Sequence, residues 1–186
     1  MQIRVKNKWN DKNKERTPED TGSVLSFNFW KIASANVMHM ENEGFQTDSH
    51  FMRLDVIAEI SAFLVHVVDR VISSKDFSAE DRQALITALA LNLAKTMHDN
   101  RQDVSDDKET DFRSDYIALM NERMNEYSAF SFEEGNQPGF QMRRRVGEHV
   151  RDVMGEKDNK WIPDQVMDIE IPDAMKAFKR VTRGVI

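Results

Sequence analysis

The feature that most constrains the fold is one stretch, Leu54 to Ile72, with the sequence LDVIAEISAFLVHVVDRVI. Successive residues of an α-helix are about 100° apart around its axis, and on such a wheel apolar side chains cover most of the circumference. A surface helix usually carries only a narrow apolar stripe. Charges interrupt the run every few residues, so we predict no membrane span. The pattern predicts a helix that other segments surround on most sides.

The strongly polar residues of this helix fall in one stripe, about 100° wide. Asp55 and Glu59 are one turn apart and His66 follows two turns later, so the three side chains point the same way. Two interpretations stay open. The stripe is either the solvent-facing edge of the helix, because ionised groups are rarely buried without partners, or it faces an interior groove where carboxylates and an imidazole converge.

An arginine stands out on the predicted fourth helix, at about residues 108–131. Arg123 lies in the middle of a stripe that also carries Phe112, Tyr116, Leu119, Tyr127 and Phe130. Either its aliphatic stem covers the rings while its head reaches water, or its guanidinium binds a carboxylate. Asp55 and Glu59 are the expected partners in the second case. Asp55, Glu59, His66 and Arg123 are therefore the candidate ligand groove.

Length and composition favour a single helical domain. The chain has 186 residues, with only 7 Gly and 4 Pro, and is rich in residues with high helix propensity. We predict an all-α fold: a single-domain helical bundle of five to six helices around the central apolar helix (54–72), with room for short strands near both termini. In this prediction residues 1–22 are a basic N-terminal arm and residues 23–186 the helical domain.

Two local patterns make more specific predictions. Thr17 is typical of a helix N-cap, but Gly22 follows so soon that we expect one turn at most, with the first full helix from about residue 26 to 43. The segment Val166–Ile171 alternates apolar and polar residues, as a short strand does, and could pair with residues 3–5.

The charge distribution bears on the kind of partner. A net charge of −6 argues against non-specific nucleic-acid binding by the whole surface. A basic patch, Arg143, Arg144, Arg145 and Arg151, lies on the predicted fifth helix. Such a run is usually a solvated face or pairs with nearby acids, so a nucleic-acid partner is disfavoured.

Common catalytic and cofactor motifs are absent from the sequence. It has no cysteine, no phosphate loop, no dinucleotide fingerprint, no GxSxG and no HExxH. None of the five histidines is in the paired Glu-x-x-His arrangement of di-iron bundles. We predict no cofactor and no metal. The first ten residues lack the apolar segment of a secretory signal, so the expected location is cytoplasmic.

Two hypotheses for the function follow. The first is a helical protein-interaction module, an adaptor or a self-associating domain, whose partner is another protein or a second copy of the chain. The alternative is a small ligand-binding or metal-binding helical-bundle enzyme that uses the groove lined by Asp55, Glu59, His66 and Arg123. A filled core with an exposed apolar patch would favour the first, whereas an interior polar cleft would favour the second.

Overall fold

The computed structural model describes residues 16–133, 137–157 and 160–186. The helices are α1 (Pro18–Asn42), α2 (His50–Ser73), α3 (Ala79–Val104), α4 (Phe112–Tyr127), α5 (Phe140–Met154), α6 (Ile162–Gln165) and α7 (Ile171–Thr182), with a π-helical turn (Val166–Glu170) joining α6 to α7. Two short strands, β1 (Phe132–Glu133) and β2 (Gln137–Pro138), pair antiparallel. The predicted all-α bundle is confirmed.

Helix α2 lies at the centre of the bundle. Between Leu54 and Val68 every residue except Asp55 is buried, and α1, α3, α4 and α5 all pack against this helix. Full burial of one large aliphatic side chain contributes about 1.5–3 kcal/mol, and this helix buries many of them. The prediction of a helix surrounded on most sides is confirmed.

Helices α2 and α3 form an antiparallel hairpin tied at both ends by ion pairs. Arg82, near the start of α3, contacts Asp69 at 2.7 Å, and Arg101, near its end, contacts Asp55. The turn between them is short because Ser78 begins α3 at once, its hydroxyl accepting a hydrogen bond from the backbone N–H of Asp81. This hairpin fixes the direction in which the polar side chains of α2 point.

Helix α1 begins earlier than predicted. Thr17 caps it, and the helix continues without a break through Gly22 to Asn42. The predicted single turn was wrong because Gly22 is a packing residue here: a Cβ at this position would lie 2.5 Å from the carbonyl oxygen of Leu85 and 2.9 Å from the backbone nitrogen of Leu89. Residues 18–22 of the predicted arm are therefore helical, and its residues 1–15 lie outside the described residues.

The predicted strand at Val166–Ile171 was also wrong. The segment forms the π-helical turn and the first residue of α7. Val166, Met167, Glu170 and Ile171 are buried, so the apparent alternation reflects a wide helical turn packed against α5. Its proposed pairing partner, residues 3–5, lies outside the described residues. The observed strands are instead in the connection between α4 and α5.

We predict that Gly22→Ala destabilises the protein although alanine is the better helix former. The added methyl would force α1 and α3 apart, and overpacking of this kind typically costs about 1–3 kcal/mol, more than the roughly 1 kcal/mol of helix propensity gained. Urea unfolding measures the change. Ser34→Ala, on the same helix, is the control and should change stability little. An unchanged or higher stability for Gly22→Ala would contradict the close packing of α1 on α3.

Candidate functional site

The clearest polar feature of the interior is an ion pair between α2 and α4. Arg123 donates from Nε to Oε2 of Glu59 at 2.7 Å and from Nη2 to Oε1 at 2.9 Å. The two residues are only 8% and 1% exposed. Of the two interpretations of Arg123, the contact with a carboxylate of the central helix is confirmed, and Glu59 is the partner. Asp55 pairs instead with Arg101 of α3.

This pair continues into a chain of alternating charges that reaches α5. Arg123 also contacts Glu122 at 2.7 Å. Glu126, one turn further on, accepts hydrogen bonds from Arg145 and from Nε2 of His149, the latter at 2.7 Å. Burial raises the pKa of Glu126, but the hydrogen bonds from Arg145 and His149 outweigh it and hold the pKa below its ordinary value. The network therefore joins the three helices α2, α4 and α5.

Most of the predicted basic patch is paired with carboxylates. Arg145 contacts Glu126, Arg144 contacts Glu148 at 3.2 Å, and Arg151 contacts Asp152 at 2.7 Å. Arg143 differs, because its buried Nε has no hydrogen-bond partner among the described residues. The carboxylates that pair with the other three arginines lie on α4 and α5.

His66 of α2 is also buried, but within the described part of the chain it belongs to no ion pair or hydrogen bond. It is 2% exposed, and neither ring nitrogen has a hydrogen-bond partner among the described residues. Its ring packs against Tyr127 and Phe132, with centroids 5.8 and 5.9 Å away. Burial, reinforced by the positive charge of Arg70, lowers the pKa of His66 to about 4, so the imidazole is neutral near pH 7.

The polar stripe of α2 is thus a buried seam in its middle and partly exposed at its two ends. Asp55 and Asp69 are half-buried and pair with α3, whereas Glu59 and His66 are enclosed by α4, α5 and the β1 strand. Both oxygens of Glu59 are engaged by Arg123, so a ligand could reach this carboxylate only by displacing the guanidinium. The arrangement fits a fixed structural contact.

A second polar cluster surrounds Glu170, where α1 meets the π-helical turn. His39 Nδ1 lies 2.8 Å from the Glu170 carboxylate, Asn36 donates to it at 2.8 Å, and Gln165 donates at 3.0 Å. The hydrogen bond and charge of Glu170 raise the pKa of His39. Sequence reasoning missed this cluster, because Glu170 is distant in sequence and fell in the predicted strand. A π-helical turn is itself often found at functional sites.

Two surface depressions accompany these clusters. A cleft of about 430 Å³ lies between α1 and α7, beside Glu170. A groove of about 240 Å³ lies between α3 and α4 and is lined mainly by apolar residues: Val65, Ile86, Ala90, Leu91, Ile117, Met120 and Met124. We call these the α1–α7 cleft and the α3–α4 groove.

No family model, curated protein or solved structure matches this chain. Among the described residues no group of three His, Asp or Glu side chains could hold a metal ion. In the same part of the chain, no helix has the length and apolarity that crossing a membrane requires. What the protein does is therefore inferred from its own contacts.

Removing one partner of the Glu59–Arg123 pair should cost more than removing both. Arg123→Met leaves a buried, uncompensated carboxylate, which typically costs about 3–5 kcal/mol. The double variant Glu59→Leu with Arg123→Met buries no charge, so its unfolding free energy should fall less than that of Arg123→Met. Urea unfolding of Arg123→Met, Glu59→Leu and the double variant measures the three differences. Arg101→Met breaks the more exposed pair with Asp55 and should cost at most about 1 kcal/mol. Additive losses in the double variant would contradict strong coupling.

The buried His66 predicts a loss of stability in mild acid. Its pKa is about 4 in the folded protein against 6.5 ordinarily, so the neutral form favours folding. This contribution is fully present above pH 6.5 and is lost as the pH falls toward 4, by about 3 kcal/mol in all. Unfolding free energies measured between pH 7 and pH 4 should fall less steeply for His66→Leu than for the unaltered protein. Ile60→Val, a buried control without a titrating group, should lower stability equally at each pH. Parallel curves for His66→Leu and the unaltered protein would rule out this role of the imidazole.

Proposed function

We propose that this chain is a helical protein-interaction module and that its docking surface is the α3–α4 groove. The observation that carries the proposal is Leu91, a large apolar side chain that lines this groove yet is 59% exposed. Isolated exposed apolar residues are common on protein surfaces, whereas a contiguous apolar groove is typical of a binding site.

The dimensions and composition of the groove suit an amphipathic helix of a partner protein. Ile117 and Met124 line it seven residues apart on α4, or about 10 Å along the axis, which matches the spacing of i and i+7 anchors on a docking helix. Met120 and Met124 are unbranched and flexible, so they can adjust their shape to the side chains that enter. None of the lining residues is charged, which favours an apolar helix face as the partner.

The filled centre of the bundle supports the same proposal. Helix α2 is enclosed on all sides between Val56 and Val68, and the Glu59–Arg123 pair satisfies its own charges. Such an interior stabilises a rigid surface.

A cytoplasmic location remains a prediction.

The alternative, a ligand-binding or metal-binding enzyme built on Asp55, Glu59, His66 and Arg123, has less physical support. Asp55 and Glu59 bind different arginines, and His66 is buried against aromatic rings. A nucleic-acid role for the basic patch is weaker still. Three of its four arginines already contact carboxylates, which leaves little free positive charge to release counterions from a phosphate backbone.

The docking surface can be tested by site-specific photocrosslinking in cells. A benzoylphenylalanine at position 91 should crosslink to one defined protein, and the same group at the exposed position Val104, on α3 but outside the groove, should not. Met124→Glu places a charge in the groove and should reduce the crosslink at least tenfold, because binding hot spots commonly contribute 2 kcal/mol or more. Circular dichroism checks that each variant is folded. A crosslink to a second copy would indicate self-association through this groove. Equal crosslinking from both positions, or a yield that Met124→Glu leaves unchanged, would contradict the proposal.

A further inference from the structure

The α1–α7 cleft is separate from the α3–α4 groove and has a polar end and a cationic end. Two contacts show that α1 and α7 run antiparallel. Phe29 packs on Phe178 with ring centroids 5.7 Å apart, and His39, later on α1, contacts Glu170, just before α7. The volume of about 430 Å³ is in the range of small-molecule sites. The side chains between the two ends are small or apolar: Ile32, Ala35, Ala174 and Ala177.

The polar end presents a buried acceptor that has no partner. Both N–H bonds of the Asn36 amide are directed at Glu170, one to its carboxylate at 2.8 Å and one to its backbone oxygen at 3.1 Å. Because both contacts are acceptors, they fix which side of the amide carries the oxygen. Oδ1 of Asn36 is buried without a hydrogen-bond partner among the described residues, on a side chain that is 6% exposed and lines the cleft.

His39 and Gln165 keep this acceptor in place. Both donate to the same oxygen of Glu170, at 2.8 and 3.0 Å, and so hold the carboxylate against Asn36. The carboxylate has no free oxygen for a ligand. The group that remains unsatisfied at this end is an amide oxygen, and it calls for an O–H or N–H donor. A buried acceptor left without a donor is unfavourable, so a ligand that supplies one gains affinity.

The cationic end is formed by Lys31 of α1 and Arg180 of α7, which both line the cleft. Neither has an ion pair with a carboxylate among the described residues, and Nζ of Lys31 lies over the ring of Phe27, 5.4 Å from its centroid. Asp173, the other acid lining the cleft, is paired with Lys176 at 2.7 Å. Lys31 is five residues from Asn36, or about 7.5 Å along the helix axis, and both cations have long side chains.

We propose that the α1–α7 cleft binds an organic carboxylate with an apolar body and a hydroxyl at its far end. The carboxylate lies between Lys31 and Arg180, as charge-assisted hydrogen bonding favours. The apolar body covers the alanines, and the hydroxyl donates to Oδ1 of Asn36. A neutral hydroxyl fits this end because the Glu170 carboxylate already accepts hydrogen bonds from Asn36, His39 and Gln165. This site is independent of the α3–α4 groove.

Isothermal titration with three probes of equal chain length tests the site. The protein should bind ω-hydroxydecanoate about tenfold more tightly than decanoate, because only the former supplies a donor to Asn36. Decanol lacks the negative charge and should bind several-fold more weakly than ω-hydroxydecanoate. Failure of ω-hydroxydecanoate to bind, or equal binding of all three probes, would overturn the proposal.

Four variants locate the binding. Asn36→Ala should abolish the preference for ω-hydroxydecanoate over decanoate while decanoate still binds. Arg180→Gln should weaken both acids several-fold, whereas Lys179→Gln, which removes a neighbouring exposed cation that does not line the cleft, should not. Ala35→Phe fills the cleft from an exposed position and should block every probe without unfolding the protein. Binding that survives Ala35→Phe, or equal effects of Arg180→Gln and Lys179→Gln, would overturn the assignment even if Asn36→Ala proved too unstable to measure.

Discussion

The burial of helix α2 is the constraint on which the rest of the structure depends. A helix that is apolar over most of its circumference has to be covered on most of its surface, and α1, α3, α4 and α5 provide the cover. The π-helical turn and α7 then close over α5 and α1. The order of the helices around the bundle follows from this need more than from any single contact.

The seam of charged side chains between α2, α4 and α5 costs free energy, because its charges are removed from water. A buried carboxylate needs partners in good geometry, and Arg123 provides them for Glu59 with two hydrogen bonds. Glu126 then connects Arg123 to Arg145 and His149 of α5. Since such a seam adds little net stability compared with apolar packing, its effect is to fix the register of α4 and α5 on α2. His66 beside it has no such partner, and this makes the core sensitive to acid.

Much of the fold and one contact of the candidate site could be predicted from the sequence. The period of α2 indicated its burial, and the position of Arg123 among aromatic residues left two interpretations open, of which a carboxylate partner was one. Other features depended on tertiary contacts. Gly22 interrupts a helix by propensity, but close approach to α3 requires it. Residues 166–171 alternate as a strand does, but packing against α5 makes them helical. The Glu170 cluster joins residues more than a hundred positions apart, so no local pattern could predict it.

Native-state hydrogen exchange of individual amides tests the central position of α2 most directly. If α2 is enclosed by the other helices, its amides from Val56 to Val68 should exchange only when the whole domain unfolds, with a protection free energy equal to that from urea unfolding. Amides of α7, which covers one side of the bundle, should exchange through smaller openings. Faster exchange in α2 than in α3 or α7 would contradict the account, because the helix on which the others pack cannot open first.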